Sequence, residues 1–111
     1  MKANEFVGFH GIGTVKDIVK HYENHTHVTD DARMFITEDF YKKTKADYVD
    51  DLNSMVKMAD LKRLVESHEL VSDYYGLARA KEHAESNYTA PELKAALKQA
   101  IADVEACKEV S

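Results

Sequence analysis

Apolar positions toward the C-terminal end of the chain recur with the rhythm of a helix. Leu93, Leu97, Ala100, Val104 and Cys107 follow one another at alternating steps of four and three, while Lys94, Lys98, Asp103 and Glu105 fall mostly on other faces. Thr89-Ala90-Pro91-Glu92 sets a capping hydroxyl three residues ahead of a carboxylate, with proline in the first turn, so the helix is predicted to begin at Ala90. A second stripe runs through Leu61, Leu64, His68, Val71, Tyr75 and Ala78, and Asn87-Tyr88-Thr89 supplies the turn after it. The two stripes predict a C-terminal antiparallel helical hairpin. A third helix is expected over Glu38 to Ala59, entered through Thr37 and carrying Val49, Leu52, Val56 and Ala59 on one face, with a break near Asp60 or Ser67.

The first 36 residues are patterned differently. They hold all but one of the four glycines, all but one of the four phenylalanines and most of the six histidines, in short runs broken by turn formers. Thr14 leads into a short helix with Val15, Ile18, Val19 and Tyr22 inward. Glu5 to His10 is rich in β-favouring residues, and Met34 to Thr37 is its candidate partner in a two-stranded ribbon; unpaired, both would lie as irregular arms on the bundle. The expected fold is therefore mainly α: a small bundle of three to five helices with a short β-ribbon from the N-terminal third if those runs pair.

Length and composition narrow the class. At 111 residues, with 44% hydrophobic and 32% charged, the chain suits one globular domain over 1–111. Within it, 1–36 is a Gly/His-rich segment with a short helix and 37–111 is the bundle. The longest uncharged run, Phe6 to Val15, is about half of what a membrane-crossing helix needs. Met1 to Glu5 does not open a secretory signal, and one cysteine cannot form an internal disulfide, so the expected location is cytoplasmic. A net charge of −5 opposes nucleic acid and anionic lipid as partners.

Three groups of residues could carry chemistry. His21, His25 and His27 have a spacing that could supply three nitrogens to zinc, nickel or copper; the competing reading is a solvated helix end. Gly8 to Lys16 forms a glycine-rich turn into a helix start, where His10, Gly11, Gly13, Thr14 and Lys16 could cradle phosphate, although the spacing is neither that of a P-loop nor of a dinucleotide fingerprint. The third group is a docking face of Tyr74 and Tyr75 with Asp50, Asp51 and Asp73, supported by further tyrosines at 41, 48 and 88.

Phe6-Val7-Gly8-Phe9-His10-Gly11, followed by a helix and then by Met34-Phe35-Ile36-Thr37, resembles the opening of ADP-ribosyltransferase domains over about a third of the chain. That resemblance implies a strand ending in His10, with His10 on a cofactor ribose and Phe35 where the family often has tyrosine. The family's later strands and catalytic glutamate have no counterpart here. Arg79 and His83, one helical turn apart, resemble the arginine-histidine pairs of helical ribonucleases, with Ala80 where that family has a further polar residue.

No catalytic set and no cofactor emerges from these patterns. The favoured expectation is a non-catalytic interaction module: a small acidic accessory protein, of a kind that suits a phage, that regulates or inhibits a protein partner or binds copies of itself. The alternative is a nucleotide- or phosphate-binding or ADP-ribosyltransferase-like protein that uses the glycine turn.

Overall fold

A computed structural model describes residues 1–44, 47 and 49–109, with Val49 described by its backbone alone. Tyr48 and the side chain of Val49, both named above, lie outside the described residues. The described chain runs α1 (Ala3–His10), α2 (Ile12–His21), β1 (His25–Val28), β2 (Phe35–Thr37), α3 (Glu38–Thr44), α4 (Val49–Ser54), β3 (Val56–Lys57), α5 (Met58–Asp73), α6 (Leu77–Glu85) and α7 (Pro91–Glu109). It is mainly α, with one small antiparallel sheet in the order β2-β1-β3.

The C-terminal helices follow their stripes. α7 starts at Pro91, with Ala90 O accepting from Lys94 N at 2.9 Å, and buries Leu97, Ala100, Val104 and Cys107 against α5 and α6. Two apolar clusters result. One gathers Phe6, Val15, Ile18, Leu61, Leu64 and Cys107 among others; the second gathers Val71, Ala80, Ala84, Leu97, Ala100 and Val104. Burial, then the nearby Asp103, pushes the Cys107 thiol up from its ordinary value, which keeps it a small core hydrophobe.

The predicted strand at Glu5–His10 is instead helix α1. Phe6 and Val7 are both buried, and adjacent residues cannot both face one side of a strand, whereas a helix can turn both onto the core. Burying such side chains is worth about 1.5–3 kcal/mol each, against a propensity scale spanning about 1 kcal/mol. The Glu5 carboxylate accepts from Lys2 N at 3.0 Å and helps start the helix. Met34–Thr37 therefore pairs elsewhere: β2 lies on β1, in a hairpin whose loop is closed by Thr29 N donating to Met34 O at 3.0 Å. Thr26 is an extra residue in β1, since His25 faces Thr37 while His27 faces Ile36.

Two predicted helices are broken. The one expected over Glu38–Ala59 divides into α3 and α4 and ends in β3, where Val56 is buried, Lys57 is exposed and Met58 is buried again. The break expected near Asp60 or Ser67 falls just before the first of these, at Met55–Lys57, and α5 then runs unbroken through Ser67. The second stripe stops instead at Tyr74. Gly76 N donates to Val71 O at 3.1 Å and Tyr75 N to Ser72 O at 2.9 Å, the paired bonds of a Schellman ending. Tyr75 and Ala78, predicted on the buried stripe, are exposed.

Asp103 departs most from its pattern. It is buried between α5 and α7, where Ser67 Oγ donates to Oδ2 at 2.7 Å, Gln99 Nε2 to Oδ1 at 3.0 Å, and Arg63 Nε stands 3.6 Å away. Asp103→Ala would strand the Ser67 hydroxyl and is expected to lower unfolding free energy by about 1–3 kcal/mol in urea titration. Combined with Ser67→Ala, the loss should be smaller than the sum of the two single losses. Additive losses would mean that the two side chains do not act as a pair.

Candidate functional site

The five residues predicted as a docking face divide into two places. Asp73, Tyr74 and Tyr75 sit together at the end of α5, whereas Asp50 and Asp51 lie on α4, near its start. All of α5, sixteen residues and about 24 Å long, separates the two groups along the chain. The tyrosines also differ. Tyr74 packs on His83 with ring centroids 4.8 Å apart, which occupies the histidine of the Arg79–His83 pair. Tyr75 is 93% exposed at φ 64°, and Tyr88, in the next turn, is fully exposed.

The glycine turn is a corner between two helices. Gly11, at φ 88°, ends α1 by donating to Val7 O at 2.8 Å and begins α2, a backbone conformation that glycine adopts without strain. His10 turns away from the corner, with Nε2 2.7 Å from Asp30 O. Phe35 lies stacked on Tyr22 at 3.7 Å. The strand ending in His-Gly that the ADP-ribosyltransferase resemblance implies is thus absent. Gly13 and Thr14 are exposed on the first turn of α2, and Lys16 points to a different place from His10.

The three histidines are held apart by their own contacts. His21 Nδ1 is 2.8 Å from Asp17 O, back along α2. His25 lies edge-on to Tyr22 at 5.1 Å, and its Nδ1 is buried without a hydrogen-bond partner. His27 Nδ1 is 2.9 Å from Thr26 Oγ1, and its ring lies 5.3 Å from that of Tyr41. Among the described residues, no group of three or more His, Cys, Asp or Glu is placed to hold one metal ion.

These elements do enclose a cleft of about 1020 Å³ between α2, β1, β3 and the start of α5. Lys16 and Lys20, four apart on α2, line it, as do Lys57 of β3 and Lys62 of α5. Tyr22, His27 and Tyr41 contribute rings to the lining. Asp17, Glu23 and Glu69 also line it, yet among the described residues none of the four lysines has a carboxylate within 4.0 Å. Sequence reasoning found Lys16 and the histidines but missed Lys20, Lys57 and Lys62. The four-residue spacing of Lys16 and Lys20 could have shown that pair; nothing local marks the other.

Among the described residues, no helix is long and apolar enough to cross a membrane. No protein-family model, curated protein or solved structure matches the chain.

His27 gives the cleft floor a pH dependence. Burial first, and then Lys57 opposite it on β3, lower its pKa below the ordinary 6.5. The unfolded chain therefore takes up this proton at a higher pH than the folded one. Stability from this group is full above about pH 6.5 and falls as pH drops from there toward the folded value. The urea midpoint should decline between about pH 7.5 and pH 5.5, and His27→Gln should flatten that decline. An unchanged slope in the variant would assign the acid sensitivity to other groups.

Proposed function

We propose that the chain is a non-catalytic, cytoplasmic interaction module that occupies a protein partner's surface through the corner formed by Asp73, Tyr74 and Tyr75, regulating or inhibiting that partner. One observation carries this reading. Tyr75 takes the position after the helix end that glycine usually fills, in a left-handed conformation that costs an L-residue about 1–2 kcal/mol. Burial does not offset the cost, because the ring is 93% exposed. A bulky aromatic kept in a strained position and held in water is better explained by binding than by folding. Tyrosine brings a large apolar body with a polar tip, and Asp73 beside it suits a partner pocket that is apolar within and basic at the rim. Asp50 and Asp51, on α4, would belong to a separate contact.

The reading separates stability from function. Tyr75→Gly relieves about 1–2 kcal/mol of backbone strain and adds about 0.4–1 kcal/mol of unfolded-state entropy. Its melting temperature should therefore equal or exceed that of the parent. In affinity capture from a lysate of the source cells, read by native mass measurement, the same variant should lose a partner that the parent retains. Equal capture by both, or a variant that melts well below the parent, would show that Tyr75 serves the fold.

A further inference from the structure

Residues 25–44, which hold β1, β2 and α3, are seated on the frame by few buried groups. Within them only His27 and Val28 are buried. α3 buries none of its side chains, and its Tyr41 ring lies 5.3 Å from that of His27. β1 is the middle strand, where His27 is paired on both sides, with Ile36 of β2 and with Lys57 of β3. Val28, opposite Val56, enters the apolar cluster. The buried part of the segment's hold is thus one valine and one imidazole. Its other contacts fall on residues that water reaches, such as Phe35 on Tyr22 at 3.7 Å and Asp30 O at 2.7 Å from His10 Nε2.

We propose that residues 25–44 are an acid-released flap: a proton taken up by the His27 imidazole parts β1 from β3 and lifts the hairpin and α3 from α5, while the α5–α7 seam stays closed. The surroundings of His27 set the direction. Lys57 faces it directly across the strands, an arrangement in which two like charges repel. Lys62 and Glu69 of α5 and Lys16, Asp17, Lys20 and Glu23 of α2 line the same cleft, and β2 brings no charge. Among the described residues no carboxylate comes within 4.0 Å of an imidazole nitrogen of His27, so none is placed to hold an imidazolium. A tyrosine ring attracts a cation over its face, yet burial and then Lys57 favour the neutral imidazole and lower its pKa. Once open, the imidazole is in water and titrates near 6.5. Opening therefore becomes easier as pH falls below about 6.5, and one proton can raise the open population at most about tenfold between pH 7.5 and pH 5.5. The second apolar cluster and the Ser67–Asp103 bond include no residue of the flap, so they have no part in its release.

Amide hydrogen exchange followed by NMR on the full chain tests this, read as protection factors so that the intrinsic pH dependence of exchange drops out. Between pH 7.5 and pH 5.5 the amides that pair β1 with β3 should lose about threefold to tenfold of their protection, and in dilute urea their exchange should stay nearly flat, the mark of a local opening. Amides of Leu64 and Val104 in the seam should stay more protected and respond steeply to urea. His27→Gln should remove the acid-induced loss. Lys57→Gln, a change at an exposed side chain, should shrink it, because the closed state then tolerates the charge better; this variant decides the question alone if His27→Gln does not fold. Amides of β1 and β3 that share the urea dependence of the seam would overturn the proposal. So would an acid-induced loss that persists in a folded His27→Gln chain or is equal in Lys57→Gln and the parent.

Discussion

The structure depends on the seam between α5 and α7. Both helices contribute to both apolar clusters: Leu61, Leu64 and Cys107 to one, Val71, Ala100 and Val104 to the other. Ser67 and Asp103 meet where one cluster gives way to the next, so a buried polar pair punctuates an otherwise apolar interface. Its bond is short, and Gln99 and Arg63 supply the remaining partners that a buried carboxylate needs. Apolar contacts alone would tolerate a slide of one helix past the other. A slide of one turn would separate Ser67 from Asp103, although Gln99 would travel with the carboxylate on α7, so the interhelical bond favours the observed register over its neighbours. α1 packs on both helices of this seam, and β1 rests on α5.

Each end of α5 then receives a different kind of surface. At its start, β3 runs directly into the helix, and Lys57 is both a strand residue and the residue before the first turn. β1 lies beside β3 with α2 across from it, so the cleft is bounded on one side by the seam's own helix. At its end, the Schellman turn carries Tyr75 outward and allows α6 to begin at Leu77. The frame buries the middle of α5, with the cleft at its start and the exposed Tyr75 at its end.

Much of the frame was legible because helices that bury one face write that face into the sequence. Val15 and Ile18 of α2, and Leu97, Ala100, Val104 and Cys107 of α7, all lie inside as their spacing implies. The readings that went astray involve forces that spacing does not encode. Phe6 and Val7 favour strands locally, but the α5–α7 seam offers burial on adjacent positions, which only a helix can use. Tyr75 and Ala78 continue an arithmetic stripe past the point where backbone bonds have already closed α5. Asp103 looks like a surface acid because its partners stand on another helix. The cleft is less legible still: Lys16 and Lys20 share a helix face, but Lys57 and Lys62 reach the same space only through the antiparallel pairing of β1 with β3.

The same seam bears on whether the two surfaces can influence one another. The cleft lies against the first turn of α5, and the Tyr75 corner closes its last, so the helix is the direct mechanical link between them. To carry a signal, α5 would have to shift along α7 or turn about its own axis between two stable positions. Either movement pulls Ser67 away from Asp103 and gives up a bond to a charged group, worth about 1.5–3 kcal/mol. The helix has one favoured register, and a rod with one register transmits no population shift. The interhelical bond thus holds α5 in one register between the cleft at its start and the exposed Tyr75 at its end.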